Sequence, residues 1–254
     1  MILYFSGTGN CLAISRKLAE GLNEQVLPLV KATKTDLTNE KKIGFVFPTY
    51  WFNVPKTVYE TISELILPKN AYYFIVVPCG AQAGNAIWTI KHLLQKKGIK
   101  LGYCNKIRVP DNSAIGFGRN PNKQIWKFDK FAQRFNQIKK DIAISSFQHH
   151  YAWWDLISAI FALPFVEKRV KPMLCPACNE HKCIACGICV KVCPMKNIQT
   201  DNNGKITMGN NCAACLACIH FCPQQAMEIG EKPTPKEAQY HHPDIQLKDM
   251  LLRL

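Results

Sequence analysis

One cysteine pattern, written twice, limits what this chain can fold into more than any other feature. It reads Cys183-x2-Cys186-x2-Cys189-x3-Cys193-Pro194, and then Cys212-x2-Cys215-x2-Cys218-x3-Cys222-Pro223. Three cysteines at two-residue intervals make a short loop wrap a common centre, and the fourth stands off before a proline that stops any helix. Ten of the thirteen cysteines fall between Cys175 and Cys222, whereas the first 170 residues hold only Cys11, Cys79 and Cys104. A disulfide scaffold of this density normally travels with an export signal. Here Met1 leads directly into the strand-like "MILYFS", with no basic residues ahead of it. The expectation is therefore metal ligation in a cytoplasmic protein.

Zinc sites normally use two ligand pairs separated by a longer loop, not triplets with a trailing Cys-Pro. The doubled run resembles the bacterial two-cluster ferredoxins, in which the fourth cysteine ligates the other cluster. That resemblance implies one [4Fe-4S] cluster on Cys183, Cys186, Cys189 and Cys222, and a second on Cys212, Cys215, Cys218 and Cys193. Small residues between the ligands, Ala185, Gly187, Ala214 and Ala217, let backbone amides approach the sulfurs, where hydrogen bonds tune the potential. Cys175 and Cys178 ("CPAC") are left over. A redox pair, a part of another metal site and simple packing all remain open for them, with no essential role favoured.

The first 110 residues alternate as β-α-β units. Strands are predicted at "MILYF", "QVLPLV", "KIGFVFP", "AYYFIVVP" and "LGYCNKIRVP", with helices to about Leu22, over about Pro55 to Leu67, and over 85–97 before Gly98. Five strands with intervening helices predict an α/β fold with a doubly wound parallel sheet. Residues 111–122 are loop-like. Ile125, Phe128, Phe131, Phe135, Ile138 and Ile142 then recur at helical spacing, with Lys123, Lys127, Lys130 and Arg134 on the other face. Such a helix suits covering the sheet better than lying on a membrane. Residues 150–170 read as a further aromatic-rich helix.

Between the first strand and first helix stands Ser6-Gly7-Thr8-Gly9-Asn10-Cys11. Two hydroxyls and glycine-freed amides at a helix start suit a phosphate. A dinucleotide fingerprint would need glycine where Leu12 stands, and no Gly-Lys-Ser/Thr follows. The stretch resembles the phosphate loop of the flavodoxins, whose ligand is FMN, although Cys11 stands where they usually carry threonine. Two further loops follow strands at their carboxyl ends, where such sheets bind ligands. Pro48-Thr49-Tyr50-Trp51-Phe52-Asn53 supplies aromatic faces for stacking. Cys79-Gly80-Ala81-Gln82-Ala83-Gly84-Asn85 offers backbone groups for the ring edge.

The whole chain resembles bacterial flavodoxin–ferredoxin fusion proteins. The resemblance implies a flavodoxin-like domain over 1–148, a helical linker over 149–174, a small α+β two-cluster ferredoxin domain over 175–230, and a tail over 231–254. It implies an electron carrier joining FMN to two clusters, exchanging low-potential electrons with redox partner proteins. An enzyme, a flavin-dependent reductase with region 111–150 as its lid, is the alternative, and a ferredoxin behind an empty flavin scaffold is a third. No acid, base or nucleophile constellation compels the enzyme, since His149, His150, His241 and His242 read as loop or tail residues. Residues 1–170 carry 23 Lys/Arg against 11 Asp/Glu. That excess favours acidic docking surfaces on partners, and no nucleic-acid motif accompanies it. No apolar run approaches the roughly 20 residues that span a bilayer. Peripheral membrane contact has no support beyond the basic charge, and oxygen-sensitive clusters point to an anaerobic setting.

Overall fold

The computed structural model describes residues 1–151, 153–155, 157, 166–230 and 232–251. Of the helix expected over 150–170, residues 152, 156 and 158–165 lie outside the described residues. A parallel sheet forms the front of the molecule, from β1 (Ile2–Tyr4), β2 (Val26–Pro28), β3 (Lys42–Val46), β4 (Tyr72–Cys79), β5 (Leu101–Arg108) and β6 (Gln148–His150). Its order is β2-β1-β3-β4-β5-β6. The first five strands thus follow the flavodoxin-type order 2-1-3-4-5. The sequence reading had five strands, and β6 is added. His149 and His150 lie in that short edge strand, parallel to β5, instead of in a loop.

Helices α1 (Asn10–Leu22), α2 (Lys56–Glu64), α3 (Ala86–Lys96) and α4 (Lys127–Ala143) cover the sheet. Alternate strand residues feed two cores. Leu3, Phe45, Ile75 and Val77 meet Val58, Ile62, Ile90 and Leu94 of α2 and α3 on one face. Ile2, Tyr4, Val46, Phe74 and Val76 meet Leu12, Leu18, Phe135, Ile138 and Ile142 of α1 and α4 on the other. Burial on both faces explains why β3 and β4 read as unbroken apolar runs. The apolar stripe of α4 packs on the sheet as its spacing requires, except that Ile125, just ahead of the helix, is exposed.

The cysteine-rich part is built from small elements: β7 (Ala177–Cys178), α5 (Ile188–Val192), β8 (Ile198–Thr200), β9 (Ile206–Met208), α6 (Ala217–His220) and β10 (Met227–Glu228). β7 pairs antiparallel with β10, and β8 with β9. This part is not held at arm's length. Val192 of α5, with Ala217 and Phe221 of the α6 region, enters the same core as α1 and α4. So do Ile245 and Met250, the latter from the terminal helix α7 (Leu247–Leu251). Burying two such side chains contributes about 1.5–3 kcal/mol each, enough to seat the tail.

Candidate functional site

All the predicted loops of the front domain lie at the carboxyl edge of the sheet. α1 begins without a side-chain cap, on Gly9 at φ 97°, a backbone angle that glycine adopts without strain. Its hydrogen bonding starts with Ala13 N–H donating to the Gly9 carbonyl, which leaves the first-turn amides of Asn10, Cys11 and Leu12 without helical acceptors. Gly9 N–H donates to Ser6 Oγ at 3.1 Å, and both Ser6 and Thr8 are buried. No acidic residue stands in the first turn. These residues fit a phosphate monoester.

Ser6, Gly7, Thr8, Asn10, Cys11, Pro48, Thr49, Tyr50, Cys79 and Gly80 share one small pocket of about 40 Å³. Gly84 and Asn85 serve differently: Asn85 N–H donates to the Phe52 carbonyl at 2.9 Å, tying the third loop to the second. Asn85 Oδ1 is buried without a hydrogen-bond partner. Ala81 is exposed. The sequence reading missed a fourth wall, Val109-Pro110-Asp111-Asn112, at the end of β5. It also missed Lys127, whose Nζ donates to the Gly80 carbonyl at 2.7 Å. The rule that ligands gather at strand carboxyl ends would have found the fourth wall.

The second loop is a tight turn. Tyr50 and Asn53 exchange backbone hydrogen bonds at 2.9 Å, and Trp51 and Phe52 between them sit at φ 55° and 62°. Such two-residue hairpins normally carry Asn-Gly. Bulky residues held there store strain of about 1–2 kcal/mol each. The strain is offset by contacts: Trp51 Nε1 donates to the Ala213 carbonyl at 3.2 Å. Tyr50, Trp51, Tyr59 and Thr89 face Met195, Cys212 and Ala213 across a cleft of about 340 Å³.

Other contacts draw the second cysteine run onto the front domain. A Cβ on Gly7 would stand 2.5 Å from the Tyr50 hydroxyl and 3.7 Å from both Cβ and the carbonyl oxygen of Cys215. Asn112 Nδ2 donates to that carbonyl at 2.8 Å. His220 of α6 is buried, and its ring bonds the Asn112 carbonyl at 3.0 Å through Nε2 while Nδ1 accepts from Tyr240 N–H at 2.9 Å. Burial pushes its pKa down to about 4. The tail then crosses the phosphate loop. Tyr240 Oη donates to Asn10 Oδ1 at 2.6 Å, His242 N–H donates to the Thr8 carbonyl at 2.9 Å, and Ile245 packs on Gly9. Arg16 and Asp249 pair at 2.8 Å farther along α1. His242 is thus buried against the loop, whereas His241 is exposed and stacks on Phe221.

The two cysteine runs repeat in detail. Ala185 N–H points to Cys183 Sγ at 3.4 Å, as Ala214 N–H does to Cys212 Sγ at 3.3 Å. Asn197 N–H donates to Cys193 Sγ at 3.3 Å, as Ala226 N–H does to Cys222 Sγ at 3.2 Å. Left-handed residues recur at the same places: Ala185 and Ala214, Gly187 and Leu216, Lys196 and Gln225. These turns aim amides at sulfur. Cys183, Cys186, Cys189 and Cys222, the set the resemblance implies for the first cluster, line one small cavity together with Cys178. Cys218 lies within electrostatic reach of Cys215, Cys212 and Cys193, and also of Cys189 from the first run. Among the described residues no three His, Cys, Asp or Glu side chains are placed to hold a single metal ion; a cubane instead takes each sulfur on a different iron. The three front-domain thiols are buried: the pKa values of Cys79 and Cys104 are pushed up to about 12 by burial, and that of Cys11 higher still. All three are neutral near pH 7. No helix among the described residues is long and apolar enough to cross a membrane.

Residues 182–227 match the family model described as a 4Fe-4S dicluster domain. Among curated proteins none matches the chain. Similar solved structures include the two-electron reduced flavodoxin of Megasphaera elsdenii, at 19% identity and TM-score 0.38, over 44% of this chain and 89% of that one. The Flv1 flavodiiron core of Synechocystis sp. PCC6803 overlaps at 15% identity and TM-score 0.37, over 54% of this chain and 36% of that one. The Trp repressor binding protein of Bacillus subtilis overlaps at 13% identity and TM-score 0.35, over 56% and 94%. The chain thus joins a parallel sheet of flavodoxin-type strand order to a C-terminal stretch that matches a 4Fe-4S dicluster domain.

Proposed function

We propose that the protein is an electron carrier that binds FMN at the carboxyl edge of its sheet and two [4Fe-4S] clusters in its cysteine-rich part. A flavin takes two electrons together and gives them up singly, and each cluster carries one. The observation that carries this reading is the close approach of Cys215 to Gly7. It supports a short path between a cluster held in part by Cys215 and a flavin held by the loop of residues 6–11, within one polypeptide, so no diffusional encounter would be needed.

Ser6, Thr8 and the first-turn amides of α1 would hold the phosphate, and Lys127, bonded to the Gly80 carbonyl, would brace the third loop. Tyr50 and Trp51 would flank the ring, and the Phe52–Asn85 bond keeps the second and third loops in register. The first cluster, on Cys183, Cys186, Cys189 and Cys222, would lie next to Ile184 and Cys186, both exposed. That face is the exchange point with redox partner proteins, and the basic front domain favours partners with acidic surfaces.

Protein purified without oxygen should contain about eight irons and eight acid-labile sulfides per chain, and flavin absorbance bands beside the broad cluster absorption. Acid extraction should release FMN. Zinc in place of iron, or no flavin uptake on reconstitution, overturns the proposal. Turnover of small acceptors without a protein partner would instead make it a reductase.

A further inference from the structure

The CPAC pair was left without a role by the sequence, and the fold separates its two cysteines. Cys178 lies in β7, in register with Met227 of β10. The next residue is fixed as well, since Asn179 N–H donates to the Ala226 carbonyl at 2.7 Å, and Ala226 N–H is the donor to Cys222 Sγ. This anchored strand places Cys178 in the wall of the cavity lined by Cys183, Cys186, Cys189 and Cys222. Its thiol is close enough to couple with all of these except Cys186, most strongly with Cys183. Cys175 stands in the same relation to Cys212 of the other run.

A cubane has four irons, and four thiolates fill its protein-facing corners. A fifth thiol in the same wall has no corner of its own. Yet it borders Cys183, which is only half-buried, whereas Cys189 and Cys222 are buried. Resting on the two-cluster reading above, we propose that Cys178 is a reserve ligand for the first cluster, positioned to take the iron of Cys183 when that bond opens. The exchange is balanced: the iron–sulfur bond to Cys183 breaks, one to Cys178 forms, and the proton of the Cys178 thiol passes to Cys183. No electron is transferred. Exposure leaves the first cluster the more open to attack, and a second thiol in place lets it survive loss of one bond.

The test uses full-length protein prepared without oxygen, assayed for iron, sulfide and the paramagnetic signals of each reduced cluster. Wild type and Cys178→Ala should hold the same iron, and Cys183→Ala should hold it too, with a shifted first-cluster signal. Cys178→Ala/Cys183→Ala should lose half the iron, and Cys189→Ala, which has no reserve, should lose half alone. Mass-mapped alkylation provides a second readout in loaded protein. Cys178 should be labelled in wild type and protected in Cys183→Ala. Loss of half the iron in Cys183→Ala alone, or in Cys178→Ala alone, overturns the proposal, as does labelling of Cys178 in an iron-replete Cys183→Ala. Wild type without iron would instead refute the cluster assignment itself.

Discussion

Lowering the pH should loosen the joint between the two halves through one histidine. His220 donates from one ring nitrogen to a front-domain carbonyl and accepts from the tail on the other, so only its neutral form satisfies both bonds. Its pKa moves from near 6.5 in an unfolded chain to about 4 in the fold, chiefly through burial, with a smaller push from His241. Between those values the unfolded chain binds the proton and the folded protein does not. Stability is therefore complete above pH 6.5 and is lost as the pH falls toward 4. The whole window is worth about 3 kcal/mol, and the step from pH 7.5 to 5.5 about 1 kcal/mol. His242, also held near 4 by burial with Asp244 opposing, adds a similar slope. Comparison with His220→Gln isolates the first residue, because glutamine keeps an N–H for Asn112 and does not titrate. Urea unfolding followed by far-ultraviolet circular dichroism, without oxygen, should show wild type losing about 1 kcal/mol more than the variant between the two pH values. Equal losses would refute the assignment of a neutral, doubly bonded His220.

Further substitutions probe the loops. Gly9→Ala adds a left-handed backbone cost of about 1–2 kcal/mol and sets a Cβ 2.9 Å from that of Ile245. Unfolding midpoints should fall by the equivalent of about 2–4 kcal/mol, and flavin should be lost on gel filtration. Gly187→Ala should cost only the backbone share, about 1 kcal/mol, because nothing lies within 4 Å of its new Cβ. Leu216→Gly, at the matching position of the second run, should cost more by the same urea assay. Relief of about 1 kcal/mol of strain is outweighed by about 2–5 kcal/mol of lost packing. Trp51→Phe removes the indole donor to Ala213 and should lower stability by about 1 kcal/mol in the same measurement.

Much of the front sheet was legible because parallel strands buried on both faces, such as β4, are apolar throughout. β6 was not: its Gln-His-His is polar and exposed, and only pairing with β5 makes it a strand. The proposed phosphate loop could be read from Ser6 to Cys11 because its residues are contiguous. The wall at 109–112 carries no pattern of its own and takes its place from β5. Local preference would also have put Asn-Gly where Trp51 and Phe52 stand, since their left-handed angles depend on partners far along the chain. For Cys178 the sequence left a redox pair, a share in a metal site and packing open, because its place beside Cys183 comes from strand register, not spacing.

Tyr240, His242 and Ile245 back a loop that was synthesised some 230 residues earlier. During translation the front sheet can assemble long before this brace exists, so Gly9 and Thr8 remain uncovered while the cysteine runs are still being made. Loading of the proposed flavin pocket and closure of its outer side would thereby be separated in time. Cleavage just ahead of Tyr240 would reopen the loop without touching a strand or a cysteine.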